Sequence, residues 1–190
     1  MSLEATLQEC LAEAFRHLAR GVADRRHPFH TPTLATVAPD GAPEARTLVL
    51  RGFEAATRTI RLHTDARSGK VASLLREPRC ALHLYDPGAK VQLRLSGRAA
   101  LHGGDAVAAA AWQASRDFSR MCYAIEPAPG TPVAAPPPAP RDAAAGEAQF
   151  RVLLLRFDRL DWLELAAAGH LRARFDWHGD GAPDASWLVP

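Results

Sequence analysis

The sequence predicts a mainly β domain: an antiparallel barrel that carries small helices. Three observations lead there. Tight-turn signals recur between short apolar segments, at Pro39-Asp40-Gly41-Ala42, at Glu54 to Thr57 and at Asp86-Pro87-Gly88. From Val91 to Leu101 the chain alternates with period two: Val91, Leu93, Leu95, Gly97, Ala99 and Leu101 share one face, and Gln92, Arg94, Ser96 and Arg98 share the other. The strand–helix–strand alternation of a doubly wound sheet is missing.

The elements follow in order. Residues 4–20 read as an amphipathic helix, because Leu7, Leu11, Ala14, Phe15 and Leu18 recur at helical spacing; Gly21 is expected to end it. Asp24 to Pro32 reads as a loop and Leu34 to Ala38 as a short strand. Pro43 to Phe53 is its return, across a hairpin in which Gly41 supplies a positive φ. Arg58 to His63 is a third strand. Ser68 to Arg76 is a helix with Val71, Leu74 and Leu75 facing inward, and Pro78 stops it. Cys80 to Tyr85 alternates as a strand, and Gly97 marks a bulge or bend in the strand that follows. Asp105 to Ser119 is an alanine-rich helix. Tyr123 to Ala148 is crowded with prolines and reads as a long irregular loop, a lid or a dimer-wrapping arm. Phe150 to Phe157 is a buried strand, Trp162 to Leu165 and Leu171 to Trp177 form a final hairpin, and Trp187 to Pro190 closes the chain. There is no internal repeat.

With 190 residues the chain is expected to form one domain over 1–190, and a hydrophobic fraction of 47% suffices for a core. The net charge of +2 lacks the strong basic bias expected of a nucleic-acid partner. Cys10, Cys80 and Cys122 are odd in number and widely spaced, which suits neither a disulfide framework nor a zinc site, so a reduced, cytoplasmic setting is expected. No apolar run approaches the roughly 20 residues of a membrane span. The N-terminus lacks the basic-then-apolar order of a signal peptide.

The chemistry concentrates in two places. Arg46-Thr47-Leu48-Val49-Leu50-Arg51 puts two guanidinium groups into a segment that otherwise reads as a buried strand, which is costly unless an anion meets them. His63-Thr64-Asp65-Ala66-Arg67-Ser68-Gly69-Lys70 is a polar, basic turn opening a helix, where exposed N–H groups favour an anion. A phosphate shared by both is the simplest partner. Two features leave this open. Arg46 and Arg51 are five apart, so an ideal strand points them to opposite faces; either a bulge intervenes, or they serve two places, and arginines at strand ends reaching solvent fit the spacing equally well. The helix start also suits a plain cap with a solvated face.

Ser68-Gly69-Lys70 is not the end of a P-loop, because Thr64 stands where a glycine is required and Val71 where a magnesium-binding hydroxyl is required. The eight histidines are scattered, and His27 and His30, with Pro28 between them, share no helix face, so no metal set is expected. No Ser/His/Asp or Cys/His order stands out. Gly103-Gly104 is a turn, Trp112 a packing residue, and Trp162 and Trp187 suit a core or a stacking surface.

Taken together, from about Thr33 to Pro190, these residues resemble the pyridoxamine 5′-phosphate oxidase-like family of FMN-binding proteins. The resemblance implies a Greek-key split β-barrel of the FMN-binding type. It assigns the first FMN contacts to the Arg46–Arg51 strand (Arg46, Thr47, Leu48, Val49, Leu50, Arg51), the flavin side to His63-Thr64, and the FMN phosphate to Ser68-Gly69-Lys70. It places Gln92 near the cofactor, and it matches Trp162 and Arg174-Phe175 to a C-terminal Trp followed by a basic hairpin. It implies that Thr64 and the backbone of Leu48 to Leu50 hold the ring, with Arg174 at its pyrimidine edge, and that a homodimer builds each FMN site from both subunits. The implied activity is that of an FMN-dependent oxidoreductase; the alternative is a non-catalytic flavin or haem carrier on the same fold.

Departures bear on the substrate. The oxidase proper holds its substrate's phosphate with a Tyr-x-x-x-Arg-x-x-x-Ser run, whereas Ala111, Ser115 and Ser119 stand here, and its Arg–His pair becomes His170 and Arg172. Gly69 replaces the family's helix-start arginine, with Arg67 a candidate substitute.

Overall fold

In the computed structural model, which describes residues 6–167 and 169–190, nine strands form one antiparallel sheet. They are β1 (Thr33–Val37), β2 (Pro43–Thr47), β3 (Leu50–Glu54), β4 (Thr59–Asp65), β5 (Arg79–Asp86), β6 (Val91–His102), β7 (Phe150–Glu164), β8 (Leu171–Asp176) and β9 (Asp184–Leu188). The strand order is β2-β1-β5-β6-β7-β4-β3, and β8 and β9 extend from β7. β2 and β3 stand at opposite ends of that order, yet only Leu48 and Val49 separate them in the chain. The sheet must therefore curl until its edges approach, which makes a split barrel.

The 15-residue β7 is the spine of this barrel. Its first half pairs with β4, from Asp65↔Phe150 to Thr59↔Arg156, and its second half with β8, from Arg159↔Asp176 to Glu164↔Leu171. β6 runs beside both halves and slips register between Ser96 and Gly97, as the glycine predicts. A Cβ at Gly97 would lie 2.1 Å from the Arg156 carbonyl oxygen, so only glycine lets the two backbones approach there.

Inward residues of the strands, among them Leu34, Ile60, Leu62, Leu82, Leu93, Leu95, Leu155 and Phe157, form the core. Each such side chain contributes roughly 1.5–3 kcal/mol by leaving water. α1 (Leu7–Ala23) lays Cys10, Ala14 and Leu18 on it, and Phe15 meets Phe53 edge-on at 5.2 Å. The helix opens with a capping box: Thr6 accepts from the Glu9 N–H, and the Glu9 carboxylate accepts from the Thr6 N–H at 2.7 Å. A smaller apolar cluster joins α3 (Ala106–Gln113) to β7 through Ala108, Ala111, Trp112, Phe150 and Val152.

Several expectations shift. α1 runs through Gly21 to Ala23, because that glycine allows Phe29 to pack on the helix, where a Cβ would approach it to 2.9 Å; residues 4 and 5 lie outside the described residues. The single strand expected over 43–53 breaks at Leu48–Val49, where the chain crosses from one edge to the other. In α2 (Gly69–Arg76), Val71 and Leu74 are buried, but Leu75 is 74% exposed, so it does not face inward. The alanine-rich helix stops at Gln113 and a separate turn, α4 (Asp117–Arg120), follows. The proline-rich loop begins and ends in 3₁₀ turns, Met121–Tyr123 and Ala144–Gln149. The strands expected over 150–157 and 162–165 are one continuous strand. No helix among the described residues is long and apolar enough to cross a membrane.

Candidate functional site

The β4–α2 turn and β2 build a cationic cluster. Arg46 on β2 donates to the Thr36 hydroxyl at 2.6 Å and to the Glu44 carboxylate at 2.6 Å. Lys70, in the first turn of α2, donates to Thr64 Oγ1 at 3.2 Å, and Thr64 Oγ1 lies 3.2 Å from Ser68 Oγ. Burial above all, and then the Arg46 charge, push the Lys70 pKa below its ordinary value, against the pull of Asp65 and Glu44. Ser68 precedes α2 without capping it; its hydroxyl donates instead to the Asp65 carbonyl at 2.8 Å, and the first N–H groups of the helix are left without a side-chain cap. Gly69 faces open space. Two cations, two hydroxyls and uncapped helix N–H groups converge, with a half-exposed carboxylate, Glu44, standing where an anion is wanted. This donor set suits a phosphate monoester, so the residues present fit the phosphate of FMN.

Two details of the turn depart from expectation. Arg67 is no stand-in for the missing helix-start arginine. Its guanidinium is taken up by Asp65 at 2.8 Å, by Glu126, and by the carbonyls of Tyr123 and Ile125 at 3.2 and 3.0 Å. It ties the proline-rich loop to the turn. The Leu48 N–H donates to the Pro32 carbonyl at 2.9 Å, which removes it from the backbone donors expected to face a ring, and Thr47 is exposed.

Arg51 serves a different place. β3 and β4 shift register between Leu50 and Gly52, so Arg51 sits at a bulge. It lines a cavity of about 200 Å³ together with Arg25, Arg61, Arg116, His63, Ser115 and Ser119, and Ala111 and Ala114 complete the wall. No carboxylate lines it among the described residues. Arg51 Nε and His63 Nε2 are buried and have no hydrogen-bond partner among the described residues. Burial, then the charges of Arg51 and Arg61, bring the His63 pKa down to about 4, so this ring is neutral near pH 7 and registers the positive potential of the cavity. Its ring rests edge-on against Phe150 at 4.8 Å. Since His63 and Thr64 are consecutive on β4, they address opposite faces of the strand: Thr64 the cationic cluster, His63 the cavity.

The remaining expected residues lie elsewhere. Thr64 pairs with Arg151 near the start of β7, whereas Gln92 pairs with Leu163 and Arg174 with Asp161 near its end. That is roughly 32–41 Å of strand contour. Gln92 Oε1 accepts from His83 Nε2 at 3.0 Å on the exposed sheet face, and Arg174 pairs with Asp176 at 2.8 Å. Beside them Asp161 accepts from Arg94 and Arg172, both at 2.8 Å; burial favours its neutral form, but these two bonds outweigh it and hold its pKa below the usual value. Trp162 is a correction. It is fully buried in the barrel, with its indole N–H donated to Glu13 on α1 at 2.9 Å, and it offers no surface to a ligand.

Sequence reasoning missed Glu44, Arg25, Arg61 and Arg116. Glu44 was legible, since residues two apart on a strand share a face. The other three come from separate segments and carry no common spacing.

The structure is thus a split barrel with a cationic cluster on one face of β4 and a guanidinium-lined cavity on the other. The family model described as "Pyridoxamine 5'-phosphate oxidase, FMN-binding domain" matches residues 8–103, just over half of the chain. The chain belongs to this family. It is 28% identical over 165 residues to pyridoxine/pyridoxamine 5'-phosphate oxidase 2 of Arabidopsis thaliana, covering 81% of this chain and 82% of that one. It also resembles the crystal structure of a pyridoxamine 5'-phosphate oxidase-related, FMN binding protein from Nostoc punctiforme, with a TM-score of 0.79 and 28% identity across the whole of both chains. PhzG from Burkholderia lata shares the fold at a TM-score of 0.75 and 17% identity, again over both chains in full.

Proposed function

We propose that this chain is an FMN-dependent oxidoreductase that acts as a homodimer on a small anionic substrate. The observation that carries the reading is the convergence of Arg46, Lys70, Thr64, Ser68 and the uncapped start of α2, a ready cradle for the cofactor phosphate. Bound FMN would supply reversible two-electron chemistry at its ring. The chain's own residues hold, orient and tune. Lys70 and Arg46 neutralise the phosphate, with Glu44 yielding Arg46 to it. Gln92 and Arg174 pair ten to twelve residues further along β7 than Thr64 does, and in this reading the partner subunit's Gln92 and Arg174 complete the site. The Arg174 charge favours the reduced, anionic ring. The cavity around Arg51 selects a substrate with a negative group, through guanidiniums that differ from the phosphate-binding run of the oxidase proper.

Complementation between subunits tests this. Lys70→Met and Arg174→Met each weaken FMN binding when alone. If each site draws Lys70 from one chain and Arg174 from the other, a dimer mixed from the two variants holds one doubly damaged site and one intact site, and half of its sites regain wild-type affinity. Sites built within single protomers would give no recovery, which sinks the shared-site reading. Protein that binds FMN but is reduced by no anionic amine or nicotinamide donor would favour a carrier instead.

A further inference from the structure

His17 on α1, His27 in the connection to β1 and Asp86 at the end of β5 meet under the barrel. His17 Nδ1 lies 3.2 Å from His27 Nε2, and Asp86 Oδ2 lies 3.6 Å from His27 Nε2 and 4.0 Å from His17 Nδ1. Such spacing would suit three ligands of a metal ion. The hydrogen bonding opposes it. The Phe29 N–H points at His27 Nδ1, at 3.1 Å. That nitrogen must accept, so the ring's proton sits on Nε2, the atom a metal would need. A ligating histidine has the reverse arrangement, donating its other N–H to an acceptor.

With both rings neutral, the His27 Nε2–H donates to His17 Nδ1. Two hydrogen bonds, through the two nitrogens of one ring, then hold residues 27–29. An added proton on His17 Nδ1 sets two N–H groups head to head; on His27 Nδ1 it faces the Phe29 N–H. Either breaks one of the two bonds. Asp86 offers the facing acceptor, Oδ2, while its Oδ1 accepts from the N–H groups of Gly88 and Ala89. Of the charges around His27, His17 and Arg20 oppose protonation while Asp86 and Asp24 favour it; burial, the largest influence, opposes it and leaves the His27 pKa lowered. Across the turn, His30 Nδ1 lies 2.8 Å from the Gly21 carbonyl and donates to it in either charge state.

Two residues before His27 stands Arg25, on the wall of the guanidinium-lined cavity. We propose that His17, His27 and Asp86 form a proton-sensitive clasp that positions Arg25, so that the cavity's grip on an anion weakens as the clasp takes up a proton. The second half rests on the reading that this cavity takes an anion. Direction follows from linkage: a histidine held neutral in the fold stabilises the segment above the ordinary value of 6.5, and that contribution is lost as pH falls below it.

The test uses the full chain, at about pH 7.5 and about pH 5.5, on either side of the ordinary histidine value. Amide exchange at Phe29 and His30, corrected for intrinsic rates, reads the clasp. Sulfate, whose charge is constant over this range, is titrated with the His63 ring resonances as the local reporter. Protection in the wild type is expected to fall at the lower pH by about tenfold, the size of one lost hydrogen bond. Sulfate affinity falls with it. His27→Asn keeps an amide oxygen to accept from the Phe29 N–H and removes the ring whose neutrality the fold enforces, so protection and sulfate affinity should no longer change between the two pH values. Wild-type protection that is the same at both values overturns the clasp. Falling protection with pH-independent sulfate affinity overturns the coupling. No sulfate response at His63 at either pH overturns the anion reading of the cavity, and leaves the clasp supported by exchange alone. Stabilisation by zinc chloride that His17→Asn abolishes overturns the proton assignment.

Discussion

Lys70→Met should act in opposite directions on cofactor binding and on the empty fold. The Lys70 ammonium is half-buried beside Arg46, and among the described residues its hydrogen bond goes to Thr64 Oγ1 at 3.2 Å. Its lowered pKa says that the empty fold disfavours the charge that cofactor binding needs. Replacing it with an unbranched neutral side chain removes this penalty and gives up one hydroxyl bond worth about 0.5–1.5 kcal/mol. The apo melting temperature should hold or rise. The FMN complex loses a charge-assisted bond to phosphate, roughly 1.5–3 kcal/mol, or about 10- to 150-fold in Kd. The pH dependence has a definite sign. An unfolded lysine binds its proton more tightly than Lys70 does in the fold, so wild-type apo stability rises as pH climbs through the depressed value towards the ordinary 10.5, and the variant lacks that rise. Flavin-fluorescence quenching gives the Kd; thermal melts with and without FMN give the rest. A Kd within about twofold of wild type, well short of one such bond, would refute the assigned cradle. So would an apo protein destabilised as much as the complex, since Lys70 would then be structural.

Three further outcomes follow from the same geometry. Gly69→Arg meets open space at the first position of α2, so it should tighten FMN binding by about tenfold or more, the worth of one charge-assisted bond, without lowering the melting temperature. Gly97→Ala drives a methyl into the Arg156 carbonyl and the Phe157 backbone; it should cost about 3 kcal/mol or more in denaturant unfolding, where an ordinary strand glycine would gain stability. The His63 ring, titrating at about 4, contributes stability at neutral pH that is lost as pH falls from 6.5 towards that value; saturating sulfate in the cavity should screen Arg51 and Arg61 and move the titration upward, as followed by ring NMR.

Much of the fold was legible because strands with one buried face declare it. The alternation over Val91–Leu101 is the observed β6 with one more residue, and Gly97 fell on the slip it predicted. What was hidden depends on contacts between distant segments. Nothing local says that the chain leaves one sheet edge at Thr47 and enters the opposite edge at Leu50, because Leu48 and Leu50 are as apolar as any strand interior. Gly21 reads as a stop, and only the packing of Phe29 shows why a glycine is kept inside the helix. Trp162 fits a motif by its order in the chain, yet it falls on the inward side of β7, and the Glu13 carboxylate that satisfies its indole lies 149 residues away. The residue types around Lys70 pointed to an anion, and the structure does bring Arg46, Lys70, Thr64 and Ser68 together, but Arg67, of the same type and in the same turn, is consumed by Asp65 and the loop.

The five-residue spacing of Arg46 and Arg51 now has a physical account. A strand that kept its regularity from 43 to 53 would put the two guanidiniums on opposite faces of one ribbon. The crossing at Leu48–Val49 does more: it delivers them to opposite edges of the sheet, and barrel closure then brings both edges back to β4. One lies beside Thr64 and the start of α2, the other beside His63 and α3. The cationic cluster and the guanidinium-lined cavity thereby lie on opposite faces of a single strand. Arg67 links them indirectly. Its side chain joins the turn that holds Ser68 and Lys70 to the loop that follows Tyr123, and Tyr123 packs on Phe150, which supports His63.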